Sequence, residues 1–200
     1  MYDTVITPNF VDNIQYGIID GNSTILLIKG GQGADILGYN DKYLKIAFNV
    51  NKKYGCTVIT ASNKEFSGAN SLEPTMRMIE KYCEGRNFTH YKVFYMGVSN
   101  GALLGSWYSF KYPEIKKLLL INSPIKARNY HYVIGGLEAS EAEKITLVYG
   151  KEDFSYPYVS LLNPLFIIKE NIHFEEVEGA DHHFAGKLDE FMALPEKYLF

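Results

Sequence analysis

A serine in the middle of a glycine-flanked turn is the residue of this sequence whose surroundings most clearly indicate chemistry. Ser99 is central in Gly97-Val98-Ser99-Asn100-Gly101, a G-x-S-x-G pattern. The apolar run 91–96, typical of a strand, precedes it, and residues 102–110, which can form a helix, follow it. A strand, a tight turn and a helix present a serine hydroxyl at a helix start, where the free N–H groups favour negative charge. Ser99 is therefore the predicted nucleophile.

Two further residues could make the Ser99 hydroxyl an effective nucleophile. A serine needs a base that removes its proton and a third group that orients the base. Asp153 follows the apolar run 145–149, and His182 follows the apolar run 173–177. Because the carboxyl ends of parallel strands meet at one edge of a sheet, we expect these side chains to converge there. The sequence thus predicts that His182 takes the Ser99 proton and that Asp153 fixes the orientation of His182.

Each of these two residues has a neighbour of similar chemistry. Glu152 could replace Asp153 as the acid, and His183 could replace His182 as the base. The spacing Gly179-Ala180-Asp181-His182 favours His182, and a helix expected to begin near 184–185 would place His183 in its first turn. Two consecutive side chains diverge too far for both to reach one hydroxyl. We therefore assign the acid to Asp153 and the base to His182.

Backbone N–H donors are needed for the negative charge that develops on the substrate oxygen. One is the N–H of Asn100, directly after the nucleophile. The other is expected in the loop Lys29-Gly30-Gly31-Gln32-Gly33, where Gly31 is the preferred donor and Gln32 the alternative. Glycine-rich loops also bind phosphate, but this one has neither G-x-x-x-x-G-K-[ST] nor G-x-G-x-x-G. The side chains expected to contact substrate are Gln32, Tyr130, Tyr132 and Phe154.

Short apolar runs alternate with amphipathic ones along the chain, which is the pattern of strands separated by helices. Strands are predicted at 14–19, 24–28, 56–60, 91–96, 117–121, 145–149 and 173–177, and helices at 41–54, 71–85, 99–112, 158–170 and 185–199. The turn Asp20-Gly21-Asn22 predicts that the first two strands form an antiparallel hairpin. The expected fold class is α/β, with a doubly wound, mostly parallel sheet that carries helices on both faces.

Composition limits the classes of partner and site. The 200 residues fit one domain, 1–200, with at most a short lid segment at about 123–144. The net charge of −3 argues against nucleic-acid binding, and no apolar stretch approaches the roughly 20 residues that span a bilayer. The first residues lack the features of a signal peptide, so a cytoplasmic location is expected. Cys56 and Cys83 have no metal-binding spacing, so neither a metal nor a cofactor is expected.

These motifs together resemble the α/β-hydrolase superfamily over residues 14–191. The resemblance rests on the Ser99 turn, on the acid turn 150–153, on the Gly-x-Asp-His ending at 179–182 and on Lys29-Gly30-Gly31, where the superfamily usually has His-Gly-x. Lys29 in place of His changes a side chain that braces the loop and leaves the backbone donor in place. The resemblance implies hydrolysis of an ester or amide through an acyl-enzyme, without a metal or an organic cofactor.

The leading hypothesis is a single-domain serine hydrolase that cleaves a small to moderate carboxylic ester or thioester. Acyl transfer and C–C bond chemistry on the same three residues are alternatives within catalysis. A non-catalytic protein that binds a small molecule in the same cleft is the alternative outside it. The presence of Ser99, Asp153 and His182 together disfavours the binding protein.

Overall fold

A single sheet of eight strands runs through the part of the chain that the computed structural model describes, residues 1–6, 13–63 and 72–200. Its strands are β1 Thr4–Ile6, β2 Tyr16–Ile19, β3 Asn22–Lys29, β4 Cys56–Ala61, β5 Lys92–Val98, β6 Ile115–Ile121, β7 Lys144–Gly150 and β8 Ile172–Val177. The α-helices are α1 Lys42–Tyr54, α2 Glu73–Gly85, α3 Asn100–Tyr108, α4 Tyr130–Ala139, α5 Asn163–Ile168 and α6 Leu188–Leu199. Shorter 3-10 helices are Tyr39–Asp41, Ser109–Lys111 and Tyr156–Leu162.

The sheet separates two apolar layers. Its order is β1-β2-β4-β3-β5-β6-β7-β8, and the strands from β4 to β8 are parallel. Helices α2, α3, α4 and α5 bury their apolar side chains against one face, and α1 and α6 bury theirs against the other. Burial on both faces explains why the central strands are apolar at successive positions. The predicted doubly wound, mostly parallel sheet is confirmed.

The hairpin predicted around Asp20-Gly21-Asn22 is wrong. Strands β2 and β3 both form, but β4 lies between them; β2 pairs with β4 in antiparallel and β3 pairs with β4 in parallel. A Cβ at Gly21 would lie 2.4 Å from the backbone of Cys56, so the turn passes directly over the start of β4. The residues of the turn indicate only its local geometry. The apolar strand β3 is stabilised more by burial between the two parallel strands β4 and β5 than it would be by pairing with β2.

Helix boundaries differ from the sequence predictions mainly at the ends. Predicted helix 71–85 is α2, which begins at Glu73 with Pro74 in its first turn, and Ser71 lies outside the described residues. Predicted helix 158–170 is a 3-10 helix that continues into α5, and predicted helix 185–199 begins only at Leu188 as α6.

The segment 123–144, predicted as a short lid, contains the unpredicted helix α4. Val133 and Leu137 of α4 are buried in the core, and a Cβ at Gly136 would lie 2.1 Å from the Ser106 carbonyl oxygen of α3. This close packing makes α4 part of the helical layer that covers the sheet. In the described part of the chain, no helix combines the length and the apolar character that a membrane crossing requires.

Candidate active site

The turn between β5 and α3 holds Ser99 in a strained backbone conformation. Its φ of 53° and ψ of −119° are unusual for a residue with a side chain, and such strain costs on the order of 1–3 kcal/mol. The turn is also crowded: a Cβ at Gly97 would lie 2.7 Å from the Ala102 backbone, and one at Gly101 would lie 2.1 Å from the Lys29 carbonyl oxygen. Both positions therefore require glycine, and the surrounding structure holds Ser99 at the tip of the turn.

The structure brings Ser99, His182 and Asp153 into contact. His182 Nε2 lies 2.8 Å from Ser99 Oγ, and His182 Nδ1 is hydrogen-bonded to Asp153 Oδ2. The Asp153 side chain is fully buried, and its Oδ1 accepts the Ser155 N–H at 2.6 Å. A carboxylate at Nδ1 favours the tautomer in which Nε2 accepts the serine proton. The arrangement can therefore deprotonate Ser99 and stabilise the imidazolium that results.

The neighbours Glu152 and His183 are placed differently. Glu152 is exposed, and its N–H donates to the Ala180 carbonyl. His183 is also exposed, with its ring centroid 5.3 Å from that of His182. It lies in the turn before α6 rather than in the first turn of a helix, because α6 begins at Leu188. The contacts with Ser99 and Asp153 are thus made by His182.

The loop after β3 lies against the nucleophile. A Cβ at Gly31 would lie 3.1 Å from Ser99 Cβ and 3.4 Å from Ser99 Oγ. Asn100 is the first residue of α3, where backbone N–H groups have no intrahelical acceptor. Burial and the Asp35 carboxylate raise the pKa of Tyr43, and the nearby Gly31 backbone opposes that rise. Gly31 and Gln32 both line the cavity beside Ser99, so the N–H groups of both stay candidates for the second donor.

Residues after β4 brace this loop from behind. The Asn63 side-chain amide donates to the Gly30 carbonyl at 3.0 Å, and the Gly33 N–H donates to the Asn63 carbonyl at 2.7 Å. Lys29 is completely buried, and its Nζ donates to the Ser62 carbonyl at 3.3 Å. Burial lowers the pKa of Lys29 to about 8. Lys29 therefore ties the end of β3 to the end of β4.

A cavity of about 420 Å³ opens beside Ser99 and His182. Its lining includes the predicted substrate contact Gln32 and the two histidines, and its charged side chains are Asp35 and Lys42. The ring of Phe154 lies 4.5 Å from the His182 ring and is 55% exposed, so Phe154 borders the site. Sequence reasoning missed Lys42 and Tyr43, because the amphipathic pattern of 41–54 predicts a helix but gives no indication of what its first turn faces.

Tyr130 and Tyr132 lie elsewhere, in contrast to the prediction. Among the described residues that line the Ser99 cavity, neither tyrosine is present. Tyr132 lines a second cavity of about 470 Å³, with its ring centroid 5.9 Å from that of Trp107, and Tyr130 packs against the core. The physical reason is that α4 docks on α3, which carries the aromatic side chains of α4 to the helical layer.

Comparison with known proteins gives relatives in structure only. No protein-family model and no curated protein matches this sequence. A solved alpha-beta serine hydrolase homologue from Coxiella burnetii has a TM-score of 0.71 at 15% identity, covering 97% of this chain and 96% of that one. An a/b serine hydrolase without lid from Xanthomonas campestris has a TM-score of 0.68 at 13% identity, covering 98% of this chain and 93% of that one. Dienelactone hydrolase from Anabaena variabilis has a TM-score of 0.68 at 14% identity, covering 99% of this chain and 95% of that one. The chain has the α/β-hydrolase fold.

In this α/β-hydrolase fold, the site also uses a residue at the end of β6 that sequence reasoning missed. Asn122 is fully buried with a φ of 48°. Its side-chain nitrogen donates to the carbonyls of Asp181 and His182 at 3.1 and 3.2 Å, and its Oδ1 accepts the Gly150 N–H at 2.9 Å. Asn122 thus joins the acid turn to the histidine loop. The available signal was an asparagine directly after a predicted strand, at the edge where the other site residues converge.

Proposed function

We propose that this protein is a serine hydrolase that cleaves a carboxylic ester or thioester of small to moderate size. The observation that carries the proposal is the continuous hydrogen-bonded chain from Ser99 Oγ through His182 to the buried Asp153. A serine in a strained turn, a base within hydrogen-bond reach and a buried acid behind it are the requirements of nucleophilic catalysis. The cavity of about 420 Å³ fits a substrate of that size.

The geometry supports a two-step mechanism. His182 Nε2 takes the proton from Ser99 Oγ as the oxygen attacks the acyl carbonyl, and the Asp153 carboxylate stabilises the imidazolium. The N–H of Asn100, with that of Gly31 or Gln32, binds the oxyanion of the tetrahedral intermediate. His182 then protonates the leaving alcohol or thiol, and an acyl-enzyme forms on Ser99. A water molecule, activated by His182, releases the acid in the second step.

The named relatives support the type of reaction. One is a serine hydrolase homologue, another is a serine hydrolase without a lid, and a third is a dienelactone hydrolase, whose name implies hydrolysis of an ester bond within a ring. These relatives are at most 15% identical to this chain, so the chemistry proposed for this protein rests on its own Ser99, His182 and Asp153.

Covalent labelling with a fluorophosphonate tests the proposal. We expect one adduct per chain, located on Ser99 by peptide mapping, and hydrolysis of short 4-nitrophenyl esters. Ser99→Ala should abolish labelling and lower kcat by about 10⁶, the order seen when a triad nucleophile is removed. Ser160→Ala, a change at an exposed serine, serves as the matched control and should keep both the labelling of Ser99 and the wild-type kcat. An adduct on another serine, or ester hydrolysis that survives in Ser99→Ala, would contradict the proposal.

A further inference from the structure

A buried lysine lies in the wall of the cavity next to the nucleophile. Lys42 is the first residue of α1, is only 4% exposed and lines the same cavity as Ser99 and His182. Its Nζ lies 4.1 Å from the centroid of the Phe191 ring and donates to the His183 carbonyl at 3.4 Å, a long hydrogen bond. The ammonium group is therefore held at the histidine loop, beside the space that a substrate would occupy.

The acidic groups around Lys42 do not neutralise it directly. Among the described residues, no carboxylate oxygen lies within 4.0 Å of its Nζ. Asp181 is the carboxylate that favours the charged form of Lys42, but its Oδ1 accepts the N–H groups of His183 and Ala185. Asp35, in the cavity wall, likewise accepts two backbone N–H groups through its Oδ1. An ammonium has three donors, and the His183 carbonyl takes one of them.

The charge on Lys42 persists near neutral pH. Burial lowers its pKa to about 8, and Asp181 opposes this effect. At pH 7 the protonated form therefore exceeds the neutral form by about ten to one. Burying a cation without a counter-ion is unfavourable, and groups with strongly shifted pKa values are concentrated at functional sites.

We propose that Lys42 binds a carboxylate carried by the substrate, so that the preferred substrates are esters with a second, ionised carboxyl group. This inference rests on the proposed hydrolase function and specifies its substrate class. A carboxylate that enters the cavity accepts a charge-assisted hydrogen bond from Lys42 Nζ, while the ester carbonyl lies at Ser99. The carboxylate can belong to the acyl part or to the alcohol part of the ester, and the two are distinguished by experiment.

A purely structural role for Lys42 gives a different result. In that case its contacts with Phe191 and the His183 carbonyl only attach α1 to the histidine loop, and replacing Lys42 affects charged and neutral esters alike. If Lys42 binds the substrate carboxylate, replacing it lowers the activity on charged esters more than the activity on neutral esters. The informative quantity is therefore the ratio of kcat/KM for an anionic ester to kcat/KM for its methyl-capped neutral form.

Two matched substrate pairs measure this ratio. Mono-4-nitrophenyl adipate and its methyl ester place the carboxylate on the acyl side, and 4-acetoxybenzoate and its methyl ester place it on the alcohol side. In the wild type we expect the anionic ester to be preferred at least about tenfold in one pair, because charge-assisted bonds contribute that much or more. Lys42→Met should lower this ratio by about 10- to 100-fold, and Lys42→Arg, which keeps the charge, should retain most of it.

Lys45→Met is the control. It removes a lysine charge three residues further along the same helix, where the side chain is exposed and Nζ donates to the Asn40 carbonyl. It should leave the ratio within about twofold of the wild type, since exposed charges contribute little. If Lys42→Met fails to fold by circular dichroism, protection of wild-type Ser99 from fluorophosphonate by adipate, but not by dimethyl adipate, tests the same contact.

Two results separate this inference from the proposed function. Neutral esters hydrolysed by Ser99 without preference for the anionic form in either pair, or with a ratio unchanged in Lys42→Met, would overturn the role of Lys42 alone. No hydrolysis of any of the four esters, together with no labelling of Ser99, would overturn the hydrolase function and this inference with it.

Discussion

Replacing the buried Lys29 by methionine should change how the stability of the protein depends on pH. Lys29 is completely buried at the end of β3, and its pKa is lowered to about 8 from 10.5. A lysine with a lowered pKa in the folded state binds fewer protons there than in the unfolded chain, so stability rises as pH increases between the two values. Lys29→Met keeps an unbranched apolar side chain of similar length and removes the titrating group.

The size of the effect follows from the two pKa values. At pH 7 the buried ammonium destabilises the fold by about 3 kcal/mol relative to a neutral side chain, and at pH 10 by about 1 kcal/mol. The variant also loses the hydrogen bond from Nζ to the Ser62 carbonyl, and the difference between the charged and the neutral donor is already contained in the pKa shift. We therefore expect the stability of Lys29→Met relative to the wild type to fall by about 2 kcal/mol between pH 7 and pH 10.

Urea unfolding followed by far-ultraviolet circular dichroism at both pH values measures this difference. The comparison of variant and wild type cancels the titration of all other groups. Lys45→Met, at an exposed site, is the control and should show no such change between the two pH values. A stability difference between Lys29→Met and the wild type that is constant from pH 7 to pH 10 would refute the reasoning, because it would mean that Lys29 titrates alike in the folded and unfolded chains.

Five substitutions at or beside the site give three further predictions. Asp153→Asn should fold normally and lower kcat by about 10⁴, since the base loses its orienting charge and favoured tautomer, whereas Glu152→Gln should lower it less than tenfold; reversed effects would make Glu152 the acid. His182→Ala should lower kcat nearly as much as loss of the nucleophile, whereas His183→Ala should retain most activity. If His183→Ala were inactive and His182→Ala active, with both variants folded, the assignment of the base to His182 would be wrong. Gly31→Ala should lower kcat by about tenfold or more with a small change in thermal stability, because the added Cβ lies against the nucleophilic oxygen, where the oxyanion must form. An unchanged kcat for Gly31→Ala would show that the loop can shift freely.

The residues that sequence analysis could identify are those attached to strand ends. Ser99, Asp153 and His182 each follow an apolar run, and the carboxyl ends of parallel strands meet at one edge of a sheet, so their proximity follows from the sequence alone. The pairing of β2 could not be inferred from its turn, because its partner β4 lies some forty residues further along and competes with the local hairpin.

Sequence analysis is also limited in predicting which neighbours the side chains of a helix contact. The periodicity of a helix indicates an apolar face but gives no information about the neighbour that covers it. The prediction of a lid at 123–144 places Tyr132 at the substrate cleft, whereas α4 docks on α3 and places Tyr132 beside Trp107. Lys42 was overlooked because a lysine in a first helical turn is ordinarily exposed, and its burial depends on Phe191, which lies far away in the sequence.

The hydrogen bonds of Asn122 have a consequence for the motion of the site. One side chain holds the backbone of His182 and the start of the turn that carries Asp153, so thermal displacement of either loop is transmitted to the other. We expect the acid and the base to fluctuate as a unit, with their mutual distance preserved while the whole pair shifts relative to β5. The hydrogen bond between His182 Nε2 and Ser99 Oγ, at 2.8 Å, is then the contact through which this unit meets the nucleophile.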